Sequence, residues 1–167
     1  MTTLVEKDAC ELLDADHIAV KHLFVEYARL AFAADGGAGA DKLALARKIC
    51  SELTVHATIE EEIFYPALRD AIAEPELLDE AEAEHQEVKA MIARIGELPQ
   101  ADAAMDDLVA ELNRAVEHHV KEERDYLFPK ARTADLDLDA LGAQLKERQG
   151  ELMAAGVKPP GRAARRK

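Results

Sequence analysis

Apolar residues recur along the chain at the three- and four-residue spacing of amphipathic helices, and no segment alternates with the period of two that marks a strand. Glycine and proline divide this pattern into four long segments, which predict helices over residues 8–34, 41–73, 75–95 and 103–132. A shorter amphipathic stretch, residues 138–154, predicts a fifth helix. Pro66 and Pro129 lie within the second and fourth segments, where each should kink or loosen the helix.

Four long helices with short connections predict an all-α fold, an up-down-up-down antiparallel four-helix bundle with a short extra C-terminal helix. The length of 167 residues is that of one domain. We assign this domain to residues 1–157, with its core over 8–132. The remaining residues, 158–167, hold five basic groups and no acidic one, which predicts a disordered basic tail.

Charge and composition narrow the expected partners and location. The 34 acidic and 21 basic residues give a formal net charge of -13, which repels a phosphate backbone and predicts no nucleic-acid partner. No apolar run approaches membrane-spanning length and the first thirty residues do not resemble a signal peptide, so we expect no membrane partner and a cytoplasmic location. Cys10 and Cys50 form no CxxC pair and are expected to be buried, inert thiols.

The histidines carry the candidate chemistry. Each of the four predicted long helices places one histidine on its apolar face, and these are His17, His56, His85 and His119. A single histidine on such a face is usually a satisfied core residue, but four buried polar rings without a shared partner would be costly. His22 is expected on the surface, and His118 outside the site or in contact with the groups around it.

Two of these histidines are followed by a glutamate four residues on, His56 by Glu60 and His119 by Glu123. The spacing places both members of a pair on one helix face. Such pairs are ordinary on helix surfaces, but here both members continue the apolar stripe. A buried carboxylate needs a counter-charge, and a metal cation would supply it.

The pattern occurs twice along the chain. Residues 16–21 and 84–89 both read acid-His-x-x-Val-Lys, and in each half a proline follows the HxxxE histidine by ten residues. Of the adjacent pair His118 and His119, only His119 has this distance to Pro129. Two helix hairpins related by pseudo-twofold symmetry would bring two half-sites face to face in the centre of a bundle, which suits a pair of metal ions.

These motifs resemble the hemerythrin family, specifically the bacterial hemerythrin-like proteins with an HHE cation-binding domain. The family order H, HxxxE, H, HxxxE is matched over about residues 8–132 by His17, His56, Glu60, His85, His119 and Glu123. The resemblance implies an HHE four-helix bundle with a non-haem di-iron centre. Its cofactors would be two iron ions (Fe2+/Fe3+) with a bridging oxo or hydroxo group, held by those six residues with the two glutamates as bridges.

One position departs from the oxygen-carrying hemerythrins, which have an additional histidine one turn after the third-helix ligand. This chain has Lys89 there. Counting the ligands together with one bridging oxygen gives each iron about five contacts, below the octahedral six. The open positions would admit peroxide, O2 or NO, and Tyr27, Tyr65 or Tyr126 is a candidate to fill one or to donate a hydrogen bond nearby.

The expected function is that of a non-haem di-iron protein acting on small oxidants, through catalase-like peroxide decomposition or defence against reactive oxygen or nitrogen species. The alternative is non-catalytic O2 or NO binding, sensing or iron storage at the same site. Ferritin-like proteins use Glu-x-x-His instead, and a six-donor, two-centre arrangement favours iron over zinc. A metal-free bundle would leave six coincident ligands without a purpose. The expected partners are small molecules (O2, H2O2 or NO), and the chain is expected to be a monomer or a weak dimer.

Overall fold

The computed structural model describes residues 7–32 and 39–156. The described residues are helical with no strand, which confirms the predicted all-α bundle with an extra C-terminal helix. The helices are α1 (Ala9–Ala31), α2 (Gly39–Ile59), α3 (Tyr65–Ala71), α4 (Pro75–Gly96), α5 (Ala103–Glu122), α6 (Phe128–Thr133) and α7 (Leu138–Ala155).

The second and fourth predicted helices are each interrupted by one π-helical turn, over Glu60–Phe64 and Glu123–Leu127. The prolines explain the interruption, because proline lacks an N–H and its ring would clash with the carbonyl four residues earlier in a regular helix. One extra residue in the preceding turn relieves that clash. The N–H groups of Tyr65 and Phe128 donate to carbonyls five residues back, and both π turns begin at a glutamate of an HxxxE pair.

The helix ends follow local capping chemistry. Asp8 and Glu11 form a capping box at the start of α1, and α4 begins with its proline at the first helical position, as predicted. Helix α2 begins at Gly39, two residues before the predicted start at residue 41, and Asp41 lies in the first turn, where its charge favours the helix dipole. Most of the predicted first loop and the predicted tail, residues 158–167, lie outside the described residues.

The bundle has two apolar clusters, one at each end of the long helices. Leu13, Ile59 and Phe64 belong to one cluster, and Val20 and Leu53 to the other. The buried polar and charged residues of the described ranges lie where these two clusters meet, and they are His17, His56, Glu60, His85, His119 and Glu123. The core is therefore an acidic and histidine-rich layer enclosed by apolar packing above and below it.

Two further expectations concern cysteines and membranes. Cys10 and Cys50 are free and buried, and burial raises the pKa of each thiol to about 12, as expected for inert thiols. Within residues 7–32 and 39–156, no helix has the length and apolar character needed to cross a membrane.

The extra helix α7 packs against α1 and α2. Its closest approach is at Gly142, where an added Cβ would lie 2.6 Å from the carbonyl oxygen of Lys7 and 2.9 Å from the carbonyl carbon of Asp8. Glycine is thus the residue that lets α7 reach the first turn of α1.

We predict that Gly142→Ala destabilises the protein by about 1–3 kcal/mol, because backbone on both sides must shift to accept the methyl group. The matched control is Gly150→Ala on the same helix, where nothing lies within 4 Å of the added Cβ. That variant should gain about 0.5–1 kcal/mol from its better helix propensity. Urea unfolding curves measure both, and equal stabilities for the two variants would contradict the packing described at Gly142.

Candidate metal centre

The six predicted ligands come together in the central layer, contributed by the four long helices and the two π turns. Glu60 and Glu123 have no exposed surface, and the four histidines are 4–8% exposed. Each glutamate is the first residue of a π turn. The histidine four residues before it and the aromatic residue five residues after it are also buried. π turns of this kind are frequent at functional sites.

One group of four potential ligands consists of His17, His56, Glu60 and Glu123, each offering one atom, all within 4.8 Å of one another. His17 Nε2 lies 3.0 Å from Glu123 Oε1, and His56 Nε2 lies 3.3 Å from Glu60 Oε2. The group therefore draws one histidine from α1, one from α2, and a carboxylate oxygen from each π turn.

The second group consists of Glu60, His85 and His119, whose ligand atoms also lie within 4.8 Å of one another. His85 Nε2 is 2.9 Å from Glu60 Oε1, and His119 Nε2 is 3.3 Å from Glu123 Oε2. Each glutamate thus has one oxygen toward each group, a geometry that would let both carboxylates bridge two ions.

The atoms of the first group test whether a metal ion fits. In the described part of the chain, the buried side-chain atoms without a hydrogen-bond partner are His17 Nε2, His56 Nε2, Glu60 Oε2 and Glu123 Oε1. The imidazoles lie close to the carboxylates but are not aligned with them as donor and acceptor. Buried polar atoms are costly when unpaired, and two imidazole nitrogens converging with two carboxylate oxygens form a common metal donor set. The residues fit a metal ion.

The second group surrounds a phenol. Tyr65 Oη lies 3.1 Å from Glu60 Oε1, 3.3 Å from His85 Nε2 and 3.2 Å from His119 Nε2, and it donates a short hydrogen bond to Glu123 Oε2. The phenol is therefore close enough to join this donor set or to hold a proton inside it.

The other two tyrosines considered from the sequence are elsewhere. Tyr27 donates to Asp106 at 2.8 Å, and Tyr126 is 51% exposed. The motifs considered above leave all three tyrosines open, although the sequence contains one distinguishing signal. Tyr65 directly precedes the proline that causes the π turn, five residues after Glu60.

The phenol breaks the pseudo-twofold symmetry of the centre. The residue equivalent to Tyr65 in the second half is Phe128, which also precedes a proline. Its ring stacks on His17 with centroids 6.0 Å apart and an interplanar angle of 14°. One half-site thus contains a hydroxyl group, and the other is closed by an apolar ring.

Every histidine of the centre has a carboxylate on its other ring nitrogen. The Nδ1 contacts are His17 with Asp14 at 3.3 Å, His56 with Asp16 at 3.0 Å, His85 with Glu61 at 2.7 Å and His119 with Glu84 at 2.7 Å. Such a carboxylate favours a proton on Nδ1 and leaves the Nε2 lone pair facing the centre, as in metal sites generally.

Only part of this outer layer is marked in the sequence. Glu61, which contacts His85, directly follows the predicted ligand Glu60, whereas no motif marks Asp14, which contacts His17. Asp16 and Glu84 were noted only as the acids of the repeated motif. Each contacts the histidine of the neighbouring helix rather than the one beside it in sequence, because successive residues point about 100° apart around a helix.

Two residues near the centre have supporting contacts. Lys89, at the position of the additional histidine, donates from Nζ to Glu61 Oε1 at 2.7 Å and so contacts the carboxylate that orients His85. His118, with a side chain 61% exposed, lies with Nε2 3.2 Å from Glu84. It is outside the centre, as expected from its register.

The charges of the central layer stabilise one another. Burial alone would raise the pKa of the Glu60 carboxyl, but the neighbouring imidazoles, that of His56 foremost, hold it well below its usual range. Burial lowers the pKa of His56 and of His119, yet the facing carboxylates, Glu60 and Glu123 first among them, raise both well above the ordinary value. In the absence of metal, the facing carboxylates therefore favour the protonated form of His56 and His119.

The helical bundle contains two groups of histidine and glutamate side chains, and the two glutamates face both groups. This is the architecture of a metal-binding bundle protein. The family model described as the Hemerythrin HHE cation binding domain matches residues 8–154. This chain belongs to the hemerythrin HHE cation-binding family.

Comparison with solved structures gives the same fold. The chain is similar to a hemerythrin HHE cation binding domain-containing protein from Mycobacterium kansasii, described as an Rv2633c homolog, with 25% sequence identity and a TM-score of 0.72. The match covers 89% of each chain. No curated protein matches the sequence.

Metal uptake should release protons. Because carboxylates raise the pKa of His56 and His119, these imidazoles carry protons near neutral pH, and a metal ion must displace them. Affinity should therefore rise with pH and fall as the solution is acidified. Adding Zn2+ to metal-free protein in weak buffer with a pH indicator measures the release, and uptake that left the pH unchanged would contradict this charge arrangement.

Proposed function

We propose that the protein is a non-haem di-iron enzyme that decomposes hydrogen peroxide. The observation that carries this proposal is the phenol of Tyr65, which lies between the two shared glutamates and two histidines in one half of the centre. Reversible binding of a gas consumes no protons. Cleavage of a peroxide O–O bond requires a proton for each oxygen that leaves as water.

Iron supplies the electron transfer when it is bound. Disproportionation converts two molecules of H2O2 into one of O2 and two of H2O, so one peroxide loses two electrons and the other gains two. A pair of ions, each cycling between the ferrous and ferric states, matches that two-electron exchange. Zinc would fit several of the same ligands but cannot carry electrons.

The side chains have separate tasks in this proposal. Glu60 and Glu123 would each be a ligand of both ions. Each of the four histidines would be a ligand of one ion, two histidines to each ion. Tyr65 holds a proton at Oη, because burial and the nearby charges of Glu123 and Glu60 raise its pKa well above the ordinary value. A neutral phenol that donates to Glu123 is placed to pass its proton to a substrate oxygen and to recover it.

The space beside the centre supports a small substrate. A cavity of about 30 Å³ lies between the histidines and an apolar wall, and its lining includes Val20, Leu53, Val88, Val116 and Val120. A cavity of this size holds about two water-sized molecules. Peroxide, O2 and NO, with two heavy atoms each, are the class of molecule that such a space suits.

The apolar wall also favours the second candidate function, which is reversible O2 or NO binding at the same centre. Both gases are weakly polar and gain little from hydrogen bonding, so aliphatic side chains suit them better than they suit peroxide. The two functions share the ligand set and differ in whether the phenol is needed.

The proposal includes a cytoplasmic location and small oxidants as partners. Two free cysteines, Cys10 and Cys50, are typical of a reducing compartment. The formal net charge of -13 disfavours a nucleic-acid partner.

The activity is tested by loading metal-free protein with ferrous iron, measuring iron per chain and the visible spectrum, and then adding H2O2 while O2 is recorded. We expect two irons per chain and sustained O2 release. Two irons with no turnover would contradict the enzyme and favour gas binding or iron handling. A chain that binds no iron would contradict both candidate functions.

Tyr65→Phe should retain iron and the fold but lose about a hundredfold in peroxide turnover, because the phenyl ring keeps the packing and removes the proton donor. The matched control is Tyr126→Phe, at a half-exposed position away from the centre. Oxygen release at saturating peroxide measures the effect. Equal turnover in the two variants would show that the phenol takes no part.

A further inference from the structure

The extra helix α7 reaches the metal centre through one side chain. Gln149 donates from Nε2 to both carboxylate oxygens of Asp16, at 3.1 Å to Oδ1 and 3.0 Å to Oδ2. Asp16 Oδ2 also accepts from His56 Nδ1 at 3.0 Å. These contacts connect α7 to α1 and α1 to α2, and they end at a ligand of the first group.

We propose that Gln149 is a positioning residue for the metal centre. It fixes the Asp16 carboxylate, which orients the His56 ring, and it thereby sets how tightly the ion between His17 and His56 is held. The inference rests on the two-ion centre of the proposed function and adds to it a part for the fifth helix.

The contrast among the four outer carboxylates supports this role. Three of them contact a basic side chain, and these contacts are Asp14 with Arg124 at 2.7 Å, Glu61 with Lys89 at 2.7 Å and Glu84 with His118 at 3.2 Å. Across residues 7–32 and 39–156, Asp16 has no such ion pair, and its fixed partner besides His56 is the neutral amide of Gln149.

A neutral partner has two physical consequences. No opposing charge weakens the carboxylate of Asp16 as an acceptor, so its negative charge acts on His56 undiminished. Apart from the contact with His56, however, only the amide of Gln149 fixes the orientation of the Asp16 carboxylate. The side chain of Asp16 is 23% exposed, so without Gln149 it is free to turn toward water and release the His56 ring.

The position of Gln149 is itself fixed by two contacts of α7. Gly142 packs against the first turn of α1, and Arg148 forms an ion pair at 2.8 Å with Glu62 in the first π turn. The half-buried side chain of Gln149 is therefore held at Asp16 by the docking of the whole helix.

The experiment compares two substitutions at position 149 that separate hydrogen bonding from packing. Gln149→Met keeps the length and volume of the side chain but removes its donors. Gln149→Lys keeps an N–H donor of similar reach. The matched control is Gln144→Met, at an exposed position on the same helix.

Each metal-free variant is loaded with Co2+, whose visible absorption reports coordination, and the release of each ion to a chelator is timed. Loss of an outer partner of a metal ligand typically costs 10–100-fold in affinity, and we expect about tenfold faster release of one ion from Gln149→Met, with a changed cobalt spectrum. Gln149→Lys should release the ion more slowly than Gln149→Met, because it keeps a donor to Asp16. Gln144→Met should resemble the wild type, and all metal-free variants should melt at similar temperatures.

Two results would overturn the inference while leaving the proposed function intact. One is a wild-type rate and spectrum in Gln149→Met. The other is a loss of metal in Gln149→Lys but not in Gln149→Met, which is the order expected if the residue only fills space. A wild-type protein that takes up no ions would overturn the proposed function and this inference together.

Discussion

The structure depends on two glutamates buried in the middle of a four-helix bundle. Placing an ionised carboxylate in a protein interior costs several kcal/mol unless it is paired, and Glu60 and Glu123 have no exposed surface. Four imidazoles and one phenol surround them. The apolar clusters on either side of this layer keep water away, so the carboxylates must be neutralised from within. In the function proposed above, a pair of divalent cations would do this with the geometry that the side chains already have.

Departures from symmetry give the centre its chemical character. The chain contains the same motif twice, and a strictly repeated structure would hold two equivalent ions. Tyr65 in one half and Phe128 in the other make the half-sites different, since only one can exchange a proton. The outer layer differs as well, because Asp16 alone among the four orienting carboxylates is held by a neutral side chain from the extra helix. A symmetric scaffold would thus place the two proposed ions in unequal surroundings.

Much of this arrangement could be predicted from the sequence, because it is encoded locally. The apolar spacing predicts the helices, and the apolar stripe around His56 and Glu60 predicts that both are buried. The π turns were not predicted, although Pro66 and Pro129 mark their places, since a proline within a helical pattern also permits a simple kink. The contacts of Asp16 with His56, 40 residues apart, and with Gln149, 133 residues apart, could not be predicted either. They depend on how helices pack, and no local pattern records that.

The most direct test of the central claim is the number of ferrous ions bound per chain by Glu123→Gln, measured beside the wild type under anaerobic conditions. The substitution preserves shape but replaces the shared carboxylate with an amide. If Glu123 bridges two ions, the wild type binds two and the variant at most one, with weaker affinity. A variant that still bound two ions with wild-type affinity would contradict the account of a centre built on two shared carboxylates.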